Sequence, residues 1–263
     1  MYEFDYTRAT SLDDASSKLS DADAKLVAGG MTLIPTLKLR LAKPSQLIDL
    51  GAIPSLRGIS DDGGAIVIGA MTRHVEVNRS PVVRSGIPAL AALAGMIGDP
   101  AVRNRGTIGG SIANNDPAAD YPAAVVALNA VVRTNKREIA ADSFFTGLFE
   151  TALGEGEIVT GVRFPKVAQA NYQKFKNPAS RYAIVGVFVA KTPAGVRLAV
   201  TGAGACVFRV PAMEAALARS FTADAIKDIQ IPDTDLNSDI HASAEYRAHL
   251  VNVMARRAVA ACG

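Results

Sequence analysis

Two short turns, Ala28-Gly-Gly-Met-Thr32 and Thr107-Ile-Gly-Gly-Ser111, constrain this chain more than any other feature of it. Each sets a pair of glycines and a hydroxyl residue beside an apolar strand or helix. Glycine lacks Cβ, so its backbone can enter the left-handed region and approach a partner closely. Successive amide N–H groups in such a bend can converge on an anion. Two bends of this kind could clamp the two phosphates of one dinucleotide, with Thr32, Thr107 and Ser111 adding hydroxyl donors. The same residues also suit two tight turns that hold no ligand. Neither standard nucleotide fingerprint is present: Gly202-Ala-Gly204 lacks the third glycine of GxGxxG, and no GxxxxGK[ST] occurs. A dinucleotide site here would be neither a Rossmann unit nor a P-loop.

The segments around the turns set the rest of the organisation. Ser11-Leu-Asp-Asp14 has capping-box form and starts a helix running to about Ser20. Lys25–Ala28 reads as a strand, and Leu33, Ile34, Leu37, Leu39 and Leu41 mark a helix-like segment ending before Pro44. Gln46–Leu50 and Ala65–Gly69 read as short strands separated by a turn region, Gly58–Gly64. The alanine-rich stretches Pro88–Ile97 and Pro122–Leu128 read as helices with proline near the start. Between them, Gly98–Asp120 shows almost no periodicity and reads as a long irregular segment, whose apolar flanks argue that it is functional. Within it, Asn114 and Asp120 can bond sugar hydroxyls, and Arg103 and Arg105 can offset phosphate charge or hold the loop. Asp99, Asn115, Asp116 and Asp120 are equally turn-formers or helix caps.

Downstream, Val131–Thr134, Glu157–Phe164, Tyr172–Lys176, Ala183–Ala190 and Val196–Gly202 read as strands, and Pro211–Arg219 and Ala242–Ala261 as helices. A boundary near Pro165–Ala170 sets off the last third as a small α+β unit. At 263 residues, 49% hydrophobic and 20% charged, the chain can bury real cores. Its net charge of +3 gives no support to nucleic-acid binding. Cys206 and Cys262, the only cysteines, are too few for a disulfide framework, a four-thiolate zinc site or an iron–sulfur cluster. His74, His241 and His249 have no metal-ligand spacing, so no metal site is expected. Met1–Asp14 is too polar for a signal peptide. The longest apolar stretch, Ile87 to Gly98, falls short of the roughly 18 residues of a membrane span. A reducing, cytoplasmic compartment without a membrane span follows, peripheral contact with the inner face of the membrane being compatible with it.

The first turn, extended through Leu33-Ile-Pro35 and Leu37-Lys-Leu-Arg40, resembles the first flavin loop of the FAD-binding medium subunits of molybdenum hydroxylases. Asp99-Pro-Ala-Val-Arg-Asn-Arg-Gly-Thr-Ile-Gly-Gly-Ser-Ile-Ala-Asn-Asn-Asp-Pro-Ala-Ala-Asp-Tyr-Pro122 closely resembles that family's second loop. Tyr172-Gln-Lys-Phe-Lys-Asn-Pro-Ala-Ser-Arg-Tyr-Ala-Ile-Val-Gly186 and Ser243-Ala-Glu-Tyr-Arg247 are similar to its C-terminal domain. The resemblance spans nearly the whole chain and is strongest to the carbon monoxide dehydrogenase type within the xanthine dehydrogenase family.

The resemblance implies an α+β fold: a two-subdomain FAD-binding fold of the PCMH type, about 1–57 and 58–166, then a C-terminal domain, about 167–263, with an antiparallel sheet. It implies that Leu26, Val27, Ala28, Gly29, Gly30, Met31, Thr32 and Leu33, with Thr107, Ile108, Gly109, Gly110 and Ser111, wrap the FAD pyrophosphate through backbone amides. Asp120 would bind a hydroxyl of the FAD chain with Asn114 nearby, and Val159 and Ile97 would contact the cofactor. Lys176 would stand near the isoalloxazine and favour its anionic reduced form by charge attraction, with Tyr182 approaching from the C-terminal domain. Met31 replaces a polar residue or histidine found in many members, so only its backbone is expected to bind. The chain is also slightly short for the family, around Arg219–Asp239.

The function implied is electron transfer inside a heteromeric molybdenum hydroxylase. A large subunit would carry the molybdenum cofactor and a small subunit two [2Fe–2S] clusters, the assembly being a dimer of heterotrimers. A stand-alone flavin-dependent reductase or flavin-binding module of the same fold is the alternative. Substrate and final acceptor are not written in these residues.

Overall fold

Three sheets follow one another along the chain, each built from a different run of sequence; the structure, a computed structural model, describes residues 1–19, 21 and 23–262. The first is parallel, in the order β1 (Asp5–Arg8), β3 (Gln46–Asp49), β2 (Lys25–Val27). Parallel neighbours need crossovers, and α1 (Leu12–Lys18) and α2 (Leu33–Lys38) supply them. Ser11 caps α1 by accepting from the Asp14 amide at 3.0 Å, but Asp14 reaches back to the Thr10 amide rather than to Ser11. Ser20, the expected end of that helix, lies outside the described residues.

The second sheet is antiparallel, β4-β5-β10-β6-β7: β4 (Ile59–Asp61), β5 (Ala65–Gly69), β6 (Val131–Thr134), β7 (Glu138–Ala140) and β10 (Val159–Pro165). Six helices fill the long passage from β5 to β6: α3 (His74–Arg79), α4 (Pro81–Gly86), α5 (Pro88–Gly95), α6 (Pro100–Arg105), α7 (Ile108–Asn114) and α8 (Tyr121–Ala127). Four of them carry proline in the first turn, where its missing N–H costs nothing. The helix α9 (Ala141–Phe144) and the hairpin β8 (Phe145–Gly147), β9 (Glu150–Thr151) precede β10.

The expectation of an irregular Gly98–Asp120 is corrected here, because local caps build two short helices where apolar periodicity is absent. Asp99 Oδ1 accepts from the Val102 amide at 2.9 Å and opens α6, and Thr107 Oγ1 accepts from the Gly110 amide at 3.2 Å and opens α7. Asn115, at φ 43°, closes α7. The expected turn region Gly58–Gly64 is corrected too, since its first half forms β4, paired with β5 (Ile59 opposite Ile68), and only the remainder turns; β1, polar in sequence (Asp5-Tyr-Thr-Arg8), is a strand through its pairing with β3.

The third sheet, β11 (Gln169–Lys176), β12 (Ala183–Thr192), β13 (Gly195–Thr201) and β14 (Phe208–Arg209), is antiparallel in sequence order. Its faces are covered by different elements. Val185, Val187 and Val189 pack under α10 (Pro211–Arg219) and α11 (Ala244–Ala260), whereas Phe188 and Ala190 join the core of the second sheet and α8. Burial on both faces explains the unbroken apolar run of β12. Phe188 lies against its cross-strand partner Tyr172, ring centroids 6.1 Å apart, and both side chains enter the core of the second sheet, which keys the third sheet to the middle of the molecule. No helix among the described residues is long and apolar enough to cross a membrane.

The turn from β6 to β7 is tied to the approach of β10 by one carboxylate. Glu157 accepts from Arg137 Nε at 3.0 Å and Nη2 at 3.1 Å, from Thr134 Oγ1 at 2.8 Å and from the Gly154 amide at 2.8 Å. The Arg137 guanidinium, foremost, holds its carboxyl down to about 2 from an ordinary 4.5. A depressed carboxyl stabilises the fold above its unfolded value and loses that contribution as pH falls toward the folded one. Stability measured by urea unfolding should therefore drop between about pH 4.5 and 2, and Glu157→Gln should flatten that part of the profile. An unaltered profile in the variant would remove Glu157 as its source.

Candidate functional site

The three sheets meet around a cleft of about 560 Å³, within the range of pre-formed small-molecule sites. One wall is the bend from β2 into α2, a second runs from the α6–α7 bend to Asp120, and Ser180–Tyr182 from the β11–β12 turn close the third side.

The first bend is held open as a donor surface. Beyond β2 the last sheet contact is the Leu50 amide on the Val27 carbonyl, at 3.1 Å. The Gly30 and Thr32 carbonyls are then taken by the amides of Ile34 and Thr36, at 3.0 and 3.1 Å. The amides of Gly29, Gly30, Met31 and Thr32 have no acceptor among the described residues, and Thr32 makes no side-chain cap. Four consecutive N–H groups left without an acceptor make a surface that favours an anion. Gly30 sits at φ 72°, the left-handed value that turns its amide into this row. Gly29 is needed for a different reason: a Cβ there would stand 2.2 Å from the Arg105 carbonyl oxygen. The two bends touch backbone to backbone at that point.

The second bend is built differently. Ile108 N–H donates to Thr72 O at 3.1 Å, Gly109 N–H to Ala70 O at 2.8 Å, Gly110 N–H to Thr107 Oγ1 at 3.2 Å and Ser111 N–H to Thr107 O at 3.0 Å. A pair of equivalent amide cradles, as the matching glycines suggest, is not what the chain forms. Backbone donors here are committed to the turn that follows β5 and to the cap, and a Cβ on Gly109 would meet that of Ala70 at 2.5 Å. The open groups are the Ser111 hydroxyl and the Asn114 carboxamide, which have no hydrogen bond within the described chain and line the cleft beside the exposed backbone of Gly110.

Leu26, Ala28, Gly29, Gly30, Met31, Thr32, Leu33, Ile97, Thr107, Gly109, Gly110, Ser111, Asn114, Asp120, Val159 and Tyr182 all line this one cleft. Three of the expected residues do not. Val27 points away with the strand, Ile108 is fully buried in the core, and Lys176 is exposed at the end of β11. A break in register between Phe175 and Lys176 sets Lys176 opposite Ala183, one residue from Tyr182 at the cleft mouth. Arg103 holds the loop, its Nη1 donating to the Ile97 and Gly98 carbonyls at 3.0 Å each.

Three further titratable residues, Lys174, Tyr172 and His74, belong to the site and its walls. Lys174 is buried and donates to Asp120 Oδ2 at 2.9 Å, while Tyr172 Oη donates to Oδ1 at 2.5 Å. Burial pushes the Asp120 carboxyl upward, and the Lys174 ammonium and Tyr172 hydroxyl pull against that shift. In the alternation of β11, Lys174 and Lys176 look alike, and only the bulge tells them apart. His74 lies in the cleft wall, its imidazole driven down to about 4 by burial and by the Arg103 charge, hence neutral at pH 7. Nothing in the sequence around it signals that position.

The fold agrees with that of known proteins. Residues 2–167 match the family described as the FAD binding domain in molybdopterin dehydrogenase, and residues 170–262 match the CO dehydrogenase flavoprotein C-terminal domain. The carbon monoxide dehydrogenase medium chain of Hydrogenophaga pseudoflava is 37% identical, over 97% of this chain and 96% of its own length. The nicotine 6-hydroxylase medium subunit of Paenarthrobacter nicotinovorans is also 37% identical, over 98% and 96%. Among solved structures, carbon monoxide dehydrogenase from H. pseudoflava superposes at TM-score 0.91, 37% identity, covering 99% of this chain and 97% of that one. Quinoline 2-oxidoreductase from Pseudomonas putida 86 does so at 0.90 with 28% identity, covering 99% and 97%.

The chain is thus a flavoprotein component of an oxidoreductase. It belongs to the FAD-binding medium subunits of the molybdenum hydroxylases, the xanthine dehydrogenase family, in their carbon monoxide dehydrogenase form. The site fits that cofactor on its own chemistry, since a row of unpaired amides suits the anionic diphosphate and the same cleft offers the Ser111 hydroxyl, the Asn114 carboxamide and the Asp120 carboxylate to a ligand's hydroxyls.

Gly29→Ala should push the two bends apart. Overpacking of this kind costs about 1–3 kcal/mol, so unfolding should shift by that amount and FAD should bind at least about tenfold more weakly. Gly64→Ala, with nothing within 4 Å of the added carbon, is the neutral control. Equal behaviour of the two variants in urea unfolding and FAD titration would contradict the role given to Gly29.

Proposed function

We propose that this chain is the electron-transfer subunit of a heteromeric molybdenum hydroxylase, taking electrons from [2Fe–2S] clusters of a small partner subunit and passing them to an external acceptor. Substrate would be transformed at a molybdenum cofactor in a large subunit. The observation that carries the reading is the cleft itself: the Gly29–Thr32 bend, with four unpaired amides, lines a cavity that residues from all three sheet regions close. When bound, FAD supplies the redox chemistry, accepting electrons singly and releasing them in pairs or singly.

The protein's part is to bind and orient. The first bend takes the diphosphate; Ser111, Asn114 and Asp120 take hydroxyls along the cofactor chain; Ile97 and Val159 give apolar contact. Tyr182 and, at the rim, Lys176 approach the ring from the C-terminal sheet. Cys206 and Cys262 are both free and far too few for two clusters, each of which needs four ligands. Relatives named for carbon monoxide and for nicotine share the same 37% identity with this chain, which favours a substrate site in another subunit. We further infer folding units at 1–57, 58–166 and 167–263, assembly as a dimer of heterotrimers and a cytoplasmic location, peripheral to the inner face of the membrane at most.

Purified alone, the chain should be yellow and carry one FAD, yet oxidise no substrate until the large and small subunits are added. Turnover by the isolated chain would instead make it a stand-alone reductase. In the same preparation Lys176→Met should lower the flavin potential by about 10–30 mV, ~30 mV being tenfold in a two-electron equilibrium. An unchanged potential removes Lys176 from the ring.

A further inference from the structure

The cluster around Asp120 joins the two halves of the chain at the cofactor cleft. Asp120 lies in the region matched by the FAD-binding domain, and Lys174 and Tyr172 in the region matched by the C-terminal domain. The Asp120 and Lys174 side chains are only 5% and 2% exposed, and their ion pair measures 2.9 Å. Lys174 Nζ also donates to the Met96 carbonyl at 3.2 Å, directly before Ile97 on the cleft wall. One ammonium therefore holds β11, the end of α5 and the segment entering α8 together.

The carboxylate is held without being used up. An ionised carboxylate offers about four acceptor sites. Tyr172 occupies one on Oδ1 and Lys174 one on Oδ2, which leaves one on each oxygen of a residue that lines the cleft. A buried carboxylate without its counter-charge is costly and tends to take up a proton. A protonated, freely rotating carboxyl would be a poorer acceptor for a ligand hydroxyl.

We propose that Lys174 is a positioning residue for the cofactor, acting through Asp120: it fixes the carboxylate in the orientation that accepts a hydroxyl of the bound FAD. This rests on the FAD reading above and adds to it a residue of the C-terminal sheet that touches no ligand itself. Lys174 and Lys176, two residues apart, then do different work, one inside the wall and one at the rim.

The test is FAD titration of the full-length deflavinated chain in five forms: wild type, Lys174→Gln, Lys174→Arg, Asp120→Asn and the Asp120→Asn/Lys174→Gln pair. Each is read at a temperature where circular dichroism shows it folded. A hydrogen bond to a charged group is large enough to predict about tenfold weaker binding for Lys174→Gln. Lys174→Arg, which keeps the charge, should recover to within about threefold of wild type. If Lys174 acts through Asp120, the double variant should bind within about twofold of Asp120→Asn alone. That last comparison stands even if Lys174→Gln fails to fold. Unchanged affinity in folded Lys174→Gln, no recovery by arginine, or a further loss of fivefold or more in the double variant would overturn the proposal while leaving the FAD reading intact. A wild-type chain that takes up no FAD would sink both.

Discussion

The contact that the rest of the site depends on is that of Gly29 with the Arg105 carbonyl, so close that a Cβ would lie 2.2 Å from the oxygen. It brings the end of a parallel βαβ unit against the α6–α7 bend of an antiparallel sheet, two pieces with separate cores. The cleft is the space left beside that contact. Had either bend carried a side chain there, the two walls would stand further apart and the cleft that Gly29–Thr32 share with Ser111 and Asn114 would change shape.

The walls divide the work unequally. The first bend ties its Gly30 and Thr32 carbonyls into α2 and leaves the N–H groups of Gly29–Thr32 unpaired, which costs little while water can reach them and favours an anion when one binds. The second turns its amides inward to Ala70, Thr72 and the Thr107 cap, so it contributes rigidity and side-chain groups. The third sheet locks over both through Phe188 and through the Asp120–Lys174 pair. Each wall is firm where it meets protein and open only where a ligand would lie.

Much of this was legible in the chain of residues. Pro211–Arg219 coincides with the observed helix, and β5, β6 and β12 begin where the apolar runs begin. Both glycine turns fall on the cleft. Other features escaped because they depend on neighbours. Helices α6 and α7 have no apolar stripe to betray them and exist through Asp99 and Thr107 caps. The strand β4 has only three residues. The inequality of the two bends is invisible in their matching glycines, because it lies in what sits beneath each one. Lys174 and Lys176 share a period-2 face until a bulge parts them, and no local pattern announces a bulge.

Amide hydrogen exchange of the chain with and without FAD tests the central claim most directly. Cofactor binding should slow exchange strongly at Gly29, Gly30, Met31 and Thr32, whose N–H groups are unpaired, and change little at Ile108 and Gly109, which are already bonded to the turn after β5. Unchanged exchange along Gly29–Thr32 in the flavin-loaded protein would contradict the account.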